Sequence, residues 1–280
     1  MDKKTKLIQK VKRLLRMAGV PRWLNHFGSK KYEFWRHAVA LIIKQECRFG
    51  YRRVSNLLNG LGIVTPSYSA LAKMAHRVPW QLWEKILNMT NLSKPYIVAI
   101  DGTGLSRPLP SPYYYKRIDK PYPVEIPLKL SIAVDTRTKN VLSLRIRSRS
   151  VHDLKDAKYL ISRLPKLPRK LVADKGYDAN WLHEFCNQKG IEAVIPLRKF
   201  GRPKNKRNTL RMKSAKKFSK KTYGRREIVE SLIGAIKRKF GTSVSSVKMS
   251  AKRTEMYCRA IAHNILSFIL GEIQRSPFFP

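Results

Sequence analysis

The sequence predicts an α/β domain on a mixed five-stranded sheet flanked by helices, preceded by a small all-α domain with a helix-turn-helix outline. Three observations predict it. Apolar residues up to about residue 92 recur at helical spacing, whereas beyond it short continuous apolar runs alternate with helical stretches. Two of those runs end in a carboxylate, Asp101 and Asp174. A third acid, Glu230, lies on a later amphipathic helix among side chains that bind phosphate well. The change of period divides the chain into a helical domain, 1–92, and a sheet-bearing domain, 93–280.

In the first domain, residues 32–45 carry apolar residues at helical spacing. Tyr51-Arg-Arg-Val-Ser-Asn-Leu-Leu forms a short amphipathic helix, broken by Gly60 and Gly62. Thr65-Pro66 then sets a capping residue before a proline suited to the first helical position. A second helix over 67–77 bears Tyr68, Lys73, His76 and Arg77. Helix, glycine turn and basic second helix make the outline, with Lys73 and Arg77 as candidate DNA contacts. A plain helical bundle would show the same outline.

In the second domain, 96–100 reads as a buried strand ending at Asp101-Gly-Thr-Gly. Strands at 128–135 and 141–148 follow, joined by a hairpin turn at 136–140 that explains Asp135. A helix spans 153–164, with His152 and Asp153 read as its cap. A fourth strand runs from Leu171 to Asp174. Asp178 is read as the cap of a helix over 179–189, which Gly190 ends. A fifth strand covers 191–196. Trp181 is expected to pack under its helix, and His183 and Glu184 have no evident partner. Tyr113-Tyr-Tyr is either a base-stacking or a packed aromatic cluster. Residues 198–226 hold 14 Lys or Arg and no acid, and 198–222 reads as a basic loop that lies along a phosphate backbone. The last helix, 253–274, has the apolar residues of a core-packing element. This order of strands and helices is the layout of an RNase H-like sheet.

Composition narrows the function. Lys and Arg number 59 against 18 Asp and Glu, a net charge of +41 that calls for a polyanionic partner, nucleic acid first. The longest apolar runs are six residues, far short of a spanning helix, and the basic N-terminus has no secretory apolar core. A cytoplasmic, nucleoid-associated protein with no membrane partner is therefore expected. Hydrophobic residues make up 43%, so the chain folds rather than forming a disordered basic tail. Cys47, Cys186 and Cys258 are too scattered for a disulfide framework or a zinc site and read as buried reduced thiols.

Tyr223, Arg226, Glu230 and Lys237 are spaced 3, 4 and 7 residues apart. On one α-helix they fall within an arc of roughly 60°. Arg225 adds a cation beside them. Periodicity alone does not choose Glu230 over Glu227. Asp101 and Asp174 at strand ends on one sheet edge, joined by a helix acid, would supply the oxygen ligands that magnesium prefers. Two such ions roughly 4 Å apart serve in-line phosphoryl displacement.

Asp101-Gly-Thr, Asp174-Lys-Gly-Tyr and the Tyr223, Arg226, Glu230, Lys237 set, in this order, resemble the DDE transposases of bacterial and archaeal insertion sequences, in the group marked by a Tyr-Arg-Glu-Lys signature. The resemblance covers about residues 95–275. It implies that Asp101, Asp174 and Glu230 bind two Mg²⁺ ions, with Mn²⁺ able to substitute, and that Tyr223, Arg226 and Lys237 grip phosphates near the transferred end. It implies cleavage of double-stranded DNA at the element ends, joining to target DNA, and a homodimer on paired ends. Some members carry a β-rich insertion before the glutamate helix. Only residues 197–222 occupy that gap here, so the resemblance leaves open whether cleavage passes through a hairpin intermediate, which that insertion would handle. A nuclease of the same fold and an inactive DNA-binding regulator derived from a transposase are the alternatives.

Overall fold

The computed structural model describes residues 3–24, 30–106, 112–121, 128–198 and 209–274. Contacts divide the chain into two units, Met1–Leu92 with Ser246–Pro280, and Ser93–Ser245.

The first unit opens with α1 (Lys3–Met17), α2 (Phe34–Glu46), α3 (Tyr51–Gly60), α4 (Tyr68–Arg77) and α5 (Trp80–Met89). Ala40, Val54, Leu58, Ile63 and Leu71 form an apolar cluster under α2, α3 and α4. Gly62 takes φ +73°, the left-handed conformation that lets the chain reverse after α3. The cap of α4 is Ser67 rather than Thr65, its hydroxyl accepting from Ala70 N. Thr65 is buried and turned inward instead, donating to the Ile63 carbonyl, while its N–H donates to Asn59 Oδ1. Lys73 and Arg77 stand exposed on α4.

The second unit contains β1 (Ile97–Leu105), α6 (Pro112–Arg117), β2 (Leu128–Asp135), β3 (Val141–Arg147), α7 (Leu154–Ser162), β4 (Lys170–Val172), α8 (Asn180–Gln188), β5 (Glu192–Val194), α9 (Leu210–Lys216), α10 (Lys220–Tyr223) and α11 (Glu227–Phe240). The sheet order is β3-β2-β1-β4-β5, with antiparallel pairing from β3 to β1 and parallel pairing from β1 to β5. This is the RNase H-like arrangement. Val98, Ile100, Ala133, Leu171 and Ala173 pack with Leu160, Ile161 and Leu182 of α7 and α8 on one face. Asp156 anchors α7 from below: it is fully buried, accepts from Ser131 Oγ at 2.8 Å, and pairs with Arg147 and Arg145 at 2.7 and 3.1 Å.

Several boundaries differ from expectation for reasons of pairing. β1 does not end at Asp101, because β2 continues antiparallel beside it and pairs Asp101 with Ile132, Thr103 with Leu130 and Leu105 with Leu128. Just beyond, Ser106 bridges Ser243, so the chain leaving α11 is fastened to the end of β1. Asp135 does form the expected turn, accepting from Arg137 N and Thr138 Oγ1. Asp178 does not cap α8. The N-cap is Ala179, with no side-chain hydrogen bond, and Asp178 binds Arg211 instead. Within the described part of the basic segment, Leu210–Lys216 and Lys220–Tyr223 are helical rather than loop, with Thr209 and Ser219 capping α9 and α10. Residues 199–208 of that segment lie outside the described residues.

α12 (Met249–Gln274) falls with the helical unit instead of the expected 93–280 domain. Its apolar Ala251, Met256, Cys258, Ile261 and Ile265 are buried. Thr254 accepts from Trp83 Nε1 at 3.1 Å and Asn264 donates to Thr90 at 2.7 Å. The buried Glu255 pairs with Arg259 at 2.6 Å and accepts from Ser246. Cys186 and Cys258 are buried free thiols as expected, whereas Cys47 is exposed. Among the described residues no helix is long and apolar enough to cross a membrane.

Candidate active site

Register decides where the first two carboxylates lie. β1 and β4 pair in parallel through Ile97 with Lys170, Val98 with Leu171 and Ala99 with Val172. Asp101 and Asp174 each follow the last pair by two residues, and Asp174 keeps extended backbone (φ −71°, ψ 171°). Neighbouring strands run about 4.8 Å apart, so the two residues start from adjacent positions. Val98, Ile100, Leu171 and Ala173 belong to the α7/α8 face, so alternation turns Asp101 and Asp174 to the other face, where α11 packs on β1.

Each aspartate uses one carboxylate oxygen locally. Asp101 Oδ1 accepts from Gly102 N at 2.8 Å, and Asp174 Oδ1 accepts from Gly176 N at 2.7 Å. Burial first, with smaller contributions from Asp153 and Asp174, raises the Asp101 carboxyl to about 6 against the opposing pull of the Gly102 N–H and the Arg226 charge. The buried Tyr177 is also raised well above its ordinary range, by burial first and then by Asp153, Asp101 and Asp174. Its hydroxyl has no hydrogen-bond partner among the described residues.

Glu230 does not join the aspartates. Its exposed carboxylate meets Arg226 Nη1 at 2.6 Å, on the preceding turn. Burial pulls the Arg226 guanidinium down, but the Glu230 hydrogen bond and the charges of Tyr223, Glu230 and Asp101 outweigh it and leave it raised. Arg226 therefore acts on both Asp101 and Glu230. Among the described residues, no three acidic, histidine or cysteine side chains are gathered closely enough to hold a metal. The donor set nonetheless fits a hard divalent cation. It offers carboxylate oxygens only, and an aspartate left partly desolvated beside two further acids favours a positive ion.

The signature residues do not share one regular helix. Tyr223 ends α10, Gly224–Arg226 form a 3₁₀ turn, and Glu230 and Lys237 lie on α11. In a 3₁₀ turn residues three apart eclipse. The Arg226 guanidinium accordingly sits 5.8 Å from the Tyr223 ring centre, and the Phe218 ring packs on the same tyrosine, with ring centres 5.4 Å apart. Lys237 lies about 10 Å further along α11 from Glu230. Arg225 is exposed. Lys73 and Arg77 belong to the other unit.

Sequence reasoning missed the part played by Asp153. It makes no side-chain cap bond to α7. Its carboxylate pairs with Lys129, and it lies so close to Gly102 that a methyl group there would run into it. Lys129 also donates to the Val151 carbonyl. An acid beside the glycine that follows Asp101 was visible only as His152-Asp153, a pattern shared with ordinary helix starts. His183 does have a partner, Asp178, at 3.3 Å. Trp181 is 40% exposed rather than packed under α8, and Tyr113 is 75% exposed.

Residues 92–265 match the profile of the transposase DDE domain. The chain belongs to that family. The transposase also matches a cryo-EM structure of a piggyBac transposase synaptic complex with hairpin DNA, at 10% identity and a TM-score of 0.41, covering 98% of this chain and 80% of that one. No curated protein matches it. The assignment rests on the family match. Transposases of this family act on DNA and use divalent metal ions, which fits the oxygen donors within β1 and just beyond β4.

Proposed function

We propose that Asp101, Asp174 and Glu230 are the catalytic carboxylates of this DNA transposase and that together they hold two Mg²⁺ ions, for which Mn²⁺ substitutes. The observation that carries this is the shared register of β1 and β4, which sets two half-buried aspartates side by side at the sheet edge facing α11. Bound cations would neutralise the acids and the phosphodiester charge and lower the barrier to in-line displacement.

The chain's own residues supply the rest. Gly102 N and Gly176 N hold Asp101 and Asp174 in orientation. Arg226 releases Glu230 as phosphate arrives, exchanging a half-exposed carboxylate for a phosphodiester oxygen. Tyr223, Arg225 and Lys237 add a hydroxyl and two cations along the strand. Lys73 and Arg77 on α4 contact the element ends, in the manner of a recognition helix. The substrates are double-stranded element ends and target DNA, the working form is a homodimer on paired ends, and the protein resides on the nucleoid.

The test is a reaction on DNA from the flanks of the gene, with Mg²⁺ or Mn²⁺, comparing wild type with Asp174→Asn, Glu230→Gln and Glu227→Gln. Metal-dependent nicking and joining by wild type and Glu227→Gln, lost in the other two while DNA binding persists, is the expected result. Activity surviving Glu230→Gln removes Glu230 from the site.

A further inference from the structure

On the α7/α8 side of the sheet, beyond Asp174, lies an open cavity of about 500 Å³. Its lining includes His152, Lys155, Arg198 and Arg211, and the single carboxylate of Asp178. Three permanent cations against one acid leave it with two positive charges when His152 is neutral. Gly176, whose N–H holds Asp174, also lines it, so the cavity adjoins the strand-end carboxylate.

The acid in the wall does not oppose an anion, because it is fully engaged. Asp178 accepts from Arg211 Nε at 2.8 Å and Nη2 at 2.6 Å, from Arg198 N at 2.6 Å, and contacts His183 Nε2 at 3.3 Å. Burial raises its carboxyl, but Arg211, the Arg198 N–H and His183 outweigh that and leave it below the ordinary value. Arg211 Nη2 also donates to the Arg198 carbonyl at 2.8 Å. These bonds use Nε–H and both Nη2 hydrogens, leaving, among the described residues, the two Nη1 hydrogens of a guanidinium already locked in place. A cation fixed in advance loses little side-chain entropy on binding a ligand. Asn180, the first residue of α8, also lines the cavity, and the Ala179 cap offers no side-chain acceptor to the first N–H groups of that nine-residue helix.

We propose that this cavity is a phosphate subsite for the DNA strand, holding a phosphodiester that neighbours the one positioned at Asp174. It rests on the reading of DNA as substrate and of Asp174 as a site residue. The strand would then be gripped on both sides of the sheet edge, by Arg226 and Lys237 on the α11 side and by Lys155, Arg198 and Arg211 here. Asp178 is a positioning residue: it converts a flexible arginine of the basic segment into a fixed wall of the subsite.

The experiment measures DNA affinity of the full chain against salt, by fluorescence anisotropy on a duplex from the gene flanks, for wild type, Lys155→Ala, Lys155→Arg and Lys158→Ala. Lys155 is exposed, so the variants leave the core intact. Lys158 is an exposed lysine of the same helix, stacked over Phe185 outside the cavity. Losing one phosphate contact lowers the slope of log K against log salt by about 0.9. The ratio of Kd at 200 mM to Kd at 50 mM salt should therefore fall about 3.5-fold in Lys155→Ala and hold in Lys155→Arg and Lys158→Ala. An unchanged slope in Lys155→Ala, an equal fall in Lys158→Ala, or a fall in Lys155→Arg overturns the subsite. Failure of the catalytic assignment would show instead as cleavage surviving Asp174→Asn, so the two readings fail separately.

Discussion

Replacing Asp101 by Asn should stabilise the metal-free protein while abolishing cleavage. The folded state raises this carboxyl from 3.8 to about 6, chiefly by burial. That corresponds to about 3 kcal/mol against the charged form. Solvent screening of a partly exposed group reduces it to about 1–2 kcal/mol. The sign follows from proton linkage. Between pH 3.8 and about 6 the folded state keeps a proton that the unfolded chain has lost, so stability falls as pH rises through that window and the full penalty is present above it. Asn carries no such penalty, and its side-chain oxygen can still accept from Gly102 N. Thermal unfolding in a chelator should therefore show equal stability for the two proteins below about pH 4, and a melting temperature about 2–8 °C higher for the variant at pH 8. Adding Mn²⁺ should stabilise wild type more than the variant, because only wild type offers the full carboxylate set. A variant less stable than wild type at pH 8 without metal, or a gap that does not change with pH, would refute the account of Asp101 as a desolvated acid awaiting a cation.

Three further outcomes are expected. Arg226→Ala should change the unfolding free energy by less than about 1 kcal/mol, since an i,i+4 pair with a half-exposed glutamate contributes little, yet weaken DNA binding and lower its salt slope by about one unit; an unchanged slope removes its phosphate role. Gly102→Ala forces the Asp153 carboxylate off its seat and should cost about 1–3 kcal/mol by overpacking, with cleavage falling on the order of 10²-fold; urea unfolding and a cleavage time course read the two separately, and full activity would show that the site tolerates the shift. Glu255→Ala removes the carboxylate paired with the buried Arg259 and should cost about 3–5 kcal/mol in denaturant unfolding; a loss under about 1 kcal/mol would mean that water or the remaining partners satisfy the guanidinium.

Much of the site is legible in the sequence because it depends on local period. Apolar runs before Asp101 and Asp174 mark strands, and the helical offsets of Tyr223, Arg226, Glu230 and Lys237 survive a 3₁₀ turn that keeps residues three apart aligned. Errors arise wherever a polar residue has a choice of partner. Asp178 and Asp153 both precede helices and look like caps, but each is drawn to a distant cation, Arg211 and Lys129 respectively, and a charge-assisted bond outweighs a cap. Thr65 loses the cap of α4 to Ser67 because the turn buries it. The last helix reads as core packing without revealing against which core.

The sequence by itself determines the chemistry available to this transposase: carboxylates after two strands, one acid among phosphate-binding groups, and a charge of +41 that demands a polyanion. Only the tertiary structure decides which groups meet. The parallel register of β1 and β4 brings Asp101 level with Asp174, the Ser106–Ser243 bridge ties the chain after α11 to β1, and Arg226 pairs with Glu230 while its charge also acts on Asp101. The physical reason is that period and composition are properties of neighbours along the chain. Register and ion-pair choice depend instead on segments far apart in sequence that burial brings together.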